Sequence, residues 1–86
     1  MVKVSVIVPH FNQTALLAQC LRSLEAQTLP RERYEIIVGD NMTPGGVVEL
    51  KARFPRVLFV EARERGAAHA RNAALALADG AVIAFT

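Results

Sequence analysis

The chain has one cysteine, no tryptophan and one tyrosine among its 86 residues. With Cys20 alone, an internal disulfide framework and a Cys-x-x-Cys metal site are both excluded. Charge of one sign is scarce as well. Ten Lys and Arg stand against eight Asp and Glu, a formal +2, with no basic cluster. That gives no electrostatic case for nucleic acid or an acidic membrane as partner. No apolar run approaches the roughly 18–20 residues needed to cross a bilayer. The apolar stretch after Met1-Val2-Lys3 stops at Pro9, too short for a secretory leader. The expected setting is a reduced cytoplasm, where a longer protein carrying this domain could also rest on the inner face of a membrane. What the chain does have is ordinary globular usage, 52% hydrophobic and 21% charged, which argues against disorder. Its length suits one small domain, 1–86, that buries only about 60–65% of its unfolded surface.

Short apolar runs alternate with longer amphipathic ones. Val4-Ser5-Val6-Ile7-Val8 is β-branched and nearly continuous, as in a parallel strand buried on both faces, and Pro9 is expected to stop it. From Gln13 to Gln27 the residues Leu16, Leu17, Cys20, Leu21 and Leu24 share one helical face. Asn12 or Thr14 is the expected cap, and Thr28-Leu29-Pro30 the end. Tyr34 to Val38 reads as a second strand closing on a Gly39-Asp40-Asn41 turn. Gly45-Gly46 opens a helix over Val47 to Phe54, and Pro55 ends it. Val57 to Val60 is a third strand. A helix follows from Gly66 to about Ala78, with Asp79-Gly80 as stop, and Ala81 to Phe85 is a fourth strand. This β-α-β-α-β-α-β order predicts an α/β fold of three layers, a Rossmann-like parallel sheet in the order 3-2-1-4 with flanking helices.

In such a sheet ligands bind beyond the carboxyl ends of the strands. The expected crevice therefore lies between the ends of the first two strands. Asp40 there could accept a hydrogen bond from a base N–H, such as N3–H of uracil. Phe11 offers a flat face for stacking. Arg71 offers paired donors for a carbonyl or phosphate. Each residue also has a plain structural role: turn, core, solvated helix face. His10 is expected to contribute backbone only. His69 is expected on a solvated or partly buried face, and Cys20 in the core.

Four segments in series carry a resemblance. They are Val4-Ser5-Val6-Ile7-Val8-Pro9-His10-Phe11-Asn12, Leu21-Arg22-Ser23-Leu24-Glu25-Ala26-Gln27-Thr28, Glu35-Ile36-Ile37-Val38-Gly39-Asp40-Asn41, and Arg65-Gly66-Ala67-Ala68-His69-Ala70-Arg71-Asn72-Ala73-Ala74. Together they resemble the amino-terminal, nucleotide-binding half of family 2 glycosyltransferases, which have the GT-A fold. The resemblance implies a nucleotide-diphosphate sugar donor, a UDP-sugar in expectation, and an acceptor of unknown kind, whether saccharide, lipid or protein. Pro9, Phe11 and Asn12 would line base and ribose, Asp40 would read the uracil N3–H, Gly66 would admit the backbone closely and Arg71 would help hold the nucleotide. The family more often has Tyr where Phe11 stands. It commonly has Asp-Gly-Ser or Asn-Gly-Ser after the second strand, where this chain has Asp40-Asn41-Met42-Thr43. The resemblance also implies a divalent cation, Mg2+ or Mn2+, on an Asp-x-Asp motif expected beyond Thr86. No catalytic or metal-ligating residue is then expected within the chain itself.

Three other classes compete. An inert half-domain could self-associate through an unpaired sheet edge. A dinucleotide-dependent oxidoreductase would need a glycine fingerprint after Val8, and none is present. A receiver domain would need acidic residues where Pro9-His10-Phe11-Asn12 stands.

Overall fold

In this computed structural model residue 2, residues 4–80 and the backbone of 82–85 are described. The order is β1 (Val4–His10), α1 (Thr14–Glu25), a 3-10 turn at Arg31–Arg33, β2 (Tyr34–Asp40), α2 (Val48–Arg53), β3 (Leu58–Glu61), α3 (Ala67–Leu75) and β4 (Val82–Phe85). The strands form one sheet in the order β3-β2-β1-β4, and each neighbouring pair is parallel. Parallel neighbours need crossover connections, and each of the three helices fills one. Ala81, the expected start of the fourth strand, and Thr86 lie outside the described residues.

Alternation along the two central strands sends side chains to opposite faces. Val6, Val8, Ile36 and Val38 pack with Leu17, Leu21, Leu50 and Phe54 of the α1 and α2 side. Ile7 and Ile37 pack with Ala74 of α3 on the other. Ile7, Leu21, Ile36, Ile37 and Val38 are fully buried, and each such burial stabilises by about 2 kcal/mol. This double burial explains the near-continuous apolar runs. It also makes the three layers: two helices, sheet, one helix. No helix among the described residues is long and apolar enough to cross a membrane.

The third helix, expected to run to about Ala78, ends at Leu75, and the local signals differ in four further places. Leu16 is 59% exposed, because the apolar stripe of α1 centres on Leu17, Ala18 and Leu21. Neither Asn12 nor Thr14 caps α1. Gln13 is the cap residue and makes no side-chain cap bond, since Asn12 turns the chain in a left-handed conformation, φ 50°. Pro9 does not stop β1 but pairs with Gly39 inside it. Beyond Ile7 the described pairing of β1 is with β2 alone, and a missing N–H is borne best near a strand end. Gly39 and Asp40 likewise belong to β2, so its turn starts two residues later than their composition suggests.

Gly39 carries the one close approach that positions the site. A Cβ there would lie 1.9 Å from the carbonyl oxygen of Ala70. The bare backbone lets α3 seat directly on β2 and brings its first turn to the carboxyl edge of the sheet.

Candidate functional site

Two loops leave the carboxyl edge side by side. His10 ends β1 opposite Asp40, which ends β2. The first loop runs through Phe11 and Asn12. The second runs through Asn41 and Met42, the latter left-handed at φ 61°. Left-handed backbone costs a side-chain-bearing residue about 1–2 kcal/mol, so this turn is held by its neighbours rather than by its own preference.

A buried polar cluster does the holding. The Asp40 carboxylate accepts from three donors. Oδ1 takes His10 Nδ1 at 2.9 Å and the Thr43 hydroxyl at 2.5 Å, and Oδ2 takes the Thr43 N–H at 3.2 Å. Thr43 Oγ1 in turn accepts the N–H of Asn12 at 2.9 Å. The N–H of Gln13 donates to His10 Nε2 at 3.0 Å. Nε2 therefore carries no proton, and Nδ1 is the protonated nitrogen that donates to Asp40. Asp40 is thus 4% exposed and tied across both loops, rather than standing free at the mouth.

Asn41 fastens a third segment. Its amide donates to the carbonyls of Glu64 at 2.6 Å and Ala62 at 3.3 Å, and its Oδ1 accepts the Gly66 N–H at 2.9 Å. The strand-to-helix loop before α3 is clamped to the end of β2 by one side chain. Asn41→Ala should cost about 2 kcal/mol, since it removes three bonds that hold the loop, one of them to the carbonyl of buried Ala62. Urea unfolding measures this, and a loss under about 1 kcal/mol would mean the loop holds its shape unaided.

Between these segments lies a cavity of about 390 Å³, within the range of small-molecule sites. Pro9, Phe11, Ala67 and Ala70 give it apolar walls, Gly66 opens one side, His10 borders it, and Asn41 and Arg65 are its other polar residues. Phe11 is 47% exposed, so its ring is available to a ligand. A second cavity, about 370 Å³, lies between the start of α1 and the 43–47 loop, with Asn12 and Thr43 in its wall.

The expected site residues are therefore divided. Pro9, Phe11 and Gly66 line the first cavity, and Asn12 lines the second. Asp40 is buried in the polar cluster. Arg71 is exposed on α3 and lines neither cavity. His10, expected to contribute backbone only, places its side chain in the polar cluster, and Asn41, Thr43 and Arg65, which the sequence reading did not single out, organise or line the site. Asp40-x-x-Thr43 has the spacing of a side-chain-stabilised turn, a signal that was present. Nothing local marks Arg65. His69 stands on the surface beside Glu64, 3.4 Å away, and Cys20 packs partly buried against the core. Among the described residues no group of three or more His, Cys, Asp or Glu is placed to hold a metal.

A doubly covered parallel sheet with a mostly apolar cavity at its carboxyl edge, opened by a glycine at a helix start, defines an α/β domain of the GT-A kind. The sequence pattern of glycosyl transferase family 2 matches residues 5–86, and the chain belongs to that family. It is 32% identical to the glycosyltransferase AglE of Haloferax volcanii, over 95% of this chain and 29% of that protein. It is 33% identical to a poly(ribitol-phosphate) beta-glucosyltransferase of Bacillus spizizenii, over 96% of this chain and 14% of that protein. Among solved structures, S. aureus TarS 1-349 in complex with UDP superposes with a TM-score of 0.88 at 26% identity, over 98% of this chain and 26% of that one. The mannosyltransferase PcManGT from Pyrobaculum calidifontis, in complex with GDP-Man and Mn2+, gives 0.80 at 34% identity, over 94% and 26%. The chain thus spans less than a third of the length of these relatives.

Proposed function

We propose that the first cavity holds the nucleoside end of a UDP-sugar, whose sugar passes to an acceptor engaged by the longer protein. The observation that carries this reading is the half-exposed Phe11 ring beside a cavity walled by Pro9, Ala67 and Ala70, with Arg65 as its charged residue. A base stacks on the ring, and Gly66 lets the ribose approach the backbone. Asp40, buried in the polar cluster and absent from that cavity's wall, serves by holding together the two loops that bound it. Asn12 shapes the turn beneath the base. Arg71 follows Ala67 by four residues and so shares its helix face, where it serves the outer end of the donor. The divalent cation belongs beyond Thr86, where it would neutralise the leaving diphosphate. The UDP-bound TarS structure supports a uridine donor, whereas the mannosyltransferase makes guanosine the sharpest alternative.

Titration of UDP and GDP into the protein, followed by amide NMR, tests this. UDP should move the signals of residues 10–12 and 65–70, and GDP should bind at least about tenfold more weakly, the worth of one or two hydrogen bonds. Equal affinity would remove the uridine assignment. Binding that leaves both segments unmoved would remove the site.

A further inference from the structure

We propose that Asn41 is a positioning residue of the cavity, bonding the chain on both sides of Arg65 so that its guanidinium meets the phosphates of the ligand. The inference rests on the cavity being a nucleotide site and adds what would tell a nucleotide from its nucleoside there.

Arg65 lies in the loop between β3 and α3, and it lines the cavity. The other basic side chains of this stretch are engaged. Arg63 pairs with Glu61 at 3.3 Å, and His69 stands 3.4 Å from Glu64. Arg65 is exposed and has no such pair among the described residues. A guanidinium left over beside a mostly apolar cavity offers paired donors to a phosphate. A long side chain in solvent has many rotamers to lose on binding. Its worth to a ligand therefore depends on how firmly its backbone is placed.

Asn41 does the placing. Its Nδ2 donates to the carbonyl of Glu64 at 2.6 Å, and its Oδ1 accepts the N–H of Gly66 at 2.9 Å. These two bonds bracket residue 65. The same amide reaches the carbonyl of Ala62 at 3.3 Å, and the Ala62 N–H donates to the Asp40 carbonyl at 2.8 Å. The loop is thus tied to the end of β2 at residues 62, 64 and 66. Asn41 is 7% exposed, and its short amide supplies both the donors and the acceptor this requires. An ionised aspartate would supply no donor.

Titration of UDP and uridine, with no divalent cation added, tests this through the ratio of the two affinities. The unaltered protein should prefer UDP by about tenfold or more, the worth of a charge-assisted hydrogen bond. Arg65→Gln should bring the ligands within about threefold. Asn41→Ala should lose most of the preference, and it should add little to that loss when combined with Arg65→Gln, as expected of a residue that acts through another. Glu64→Arg with Arg65→Gln moves the cation by one residue and should not restore the preference. An undiminished preference in Arg65→Gln overturns the proposal. So does an Asn41→Ala variant in which UDP and uridine weaken equally, the result of a merely structural role, and so does a preference restored by the shifted cation. An unaltered protein that binds both ligands equally overturns it too but leaves the nucleoside cavity, and one that binds neither removes the nucleotide reading itself. Should Asn41→Ala fail to fold, the shifted cation decides, because residues 64 and 65 are both exposed and the variant asks whether the place that Asn41 fixes matters.

Discussion

Gly39→Val should lower the unfolding free energy by about 3 kcal/mol and weaken nucleotide binding with it. The added Cβ would meet the Ala70 carbonyl oxygen at 1.9 Å and its carbonyl carbon at 2.8 Å. A flexible side chain can step aside from such a contact. A helix backbone cannot, so α3 as a whole must lift from β2. A domain of 86 residues has about 4–13 kcal/mol of stability in total, so the loss is a large fraction of it. The same shift moves Gly66, Ala67 and Ala70, which wall the cavity. Gly45→Ala is the control. Gly45 has φ 81° and no atom within 4 Å of an added Cβ, so it should cost only the backbone strain of about 1 kcal/mol. Denaturant unfolding of the two variants separates crowding from strain. Equal losses at the two positions would mean that α3 does not depend on the close approach at Gly39.

That dependence was not legible locally. Gly39 in sequence looks like the first residue of a turn, and only the arrival of α3 shows why no side chain can stand there. The strands were legible because burial on both faces leaves an uninterrupted mark, as in Val4–Val8 and Ile36–Val38. Helix α1 was legible through a one-sided apolar stripe, with Leu17 and Leu21 at its centre. Leu16 was misjudged because adjacent apolar residues do not say which side of a stripe is the centre. The site was legible only in part. Pro9, Phe11 and Gly66 could be placed by their position after a strand or before a helix. The pairing of His10 with Asp40 spans 30 residues, and the bonds of Asn41 to the loop before α3 span 21 to 25. Such contacts follow from sheet register, which no local pattern records. Asp40 was found for its position at the edge; of its three protein donors only His10 Nδ1 comes from that register, while the two from Thr43 are local.

Phe11→Ala should weaken UDP binding by about tenfold to a hundredfold, the range expected for losing one base-stacking ring. The fold should hardly notice. The ring is 47% exposed and belongs to neither core cluster, so the unfolding midpoint should stay close to that of the unaltered protein. This separation is what makes the variant informative, since most substitutions around the cavity disturb the loops as well. Phe11→Tyr should bind at least as tightly as the unaltered protein, because the ring persists and gains a hydroxyl. Phe11→Leu should fall between, keeping apolar area but not the flat face on which a base packs. Calorimetric titration of the series gives the order Tyr, Phe, Leu, Ala. An order in which Leu matches Phe would mean the ring supplies area rather than stacking. Unchanged affinity in Phe11→Ala would move the base away from the first cavity and toward the one bounded by Asn12 and Thr43, where no aromatic ring is available to meet it.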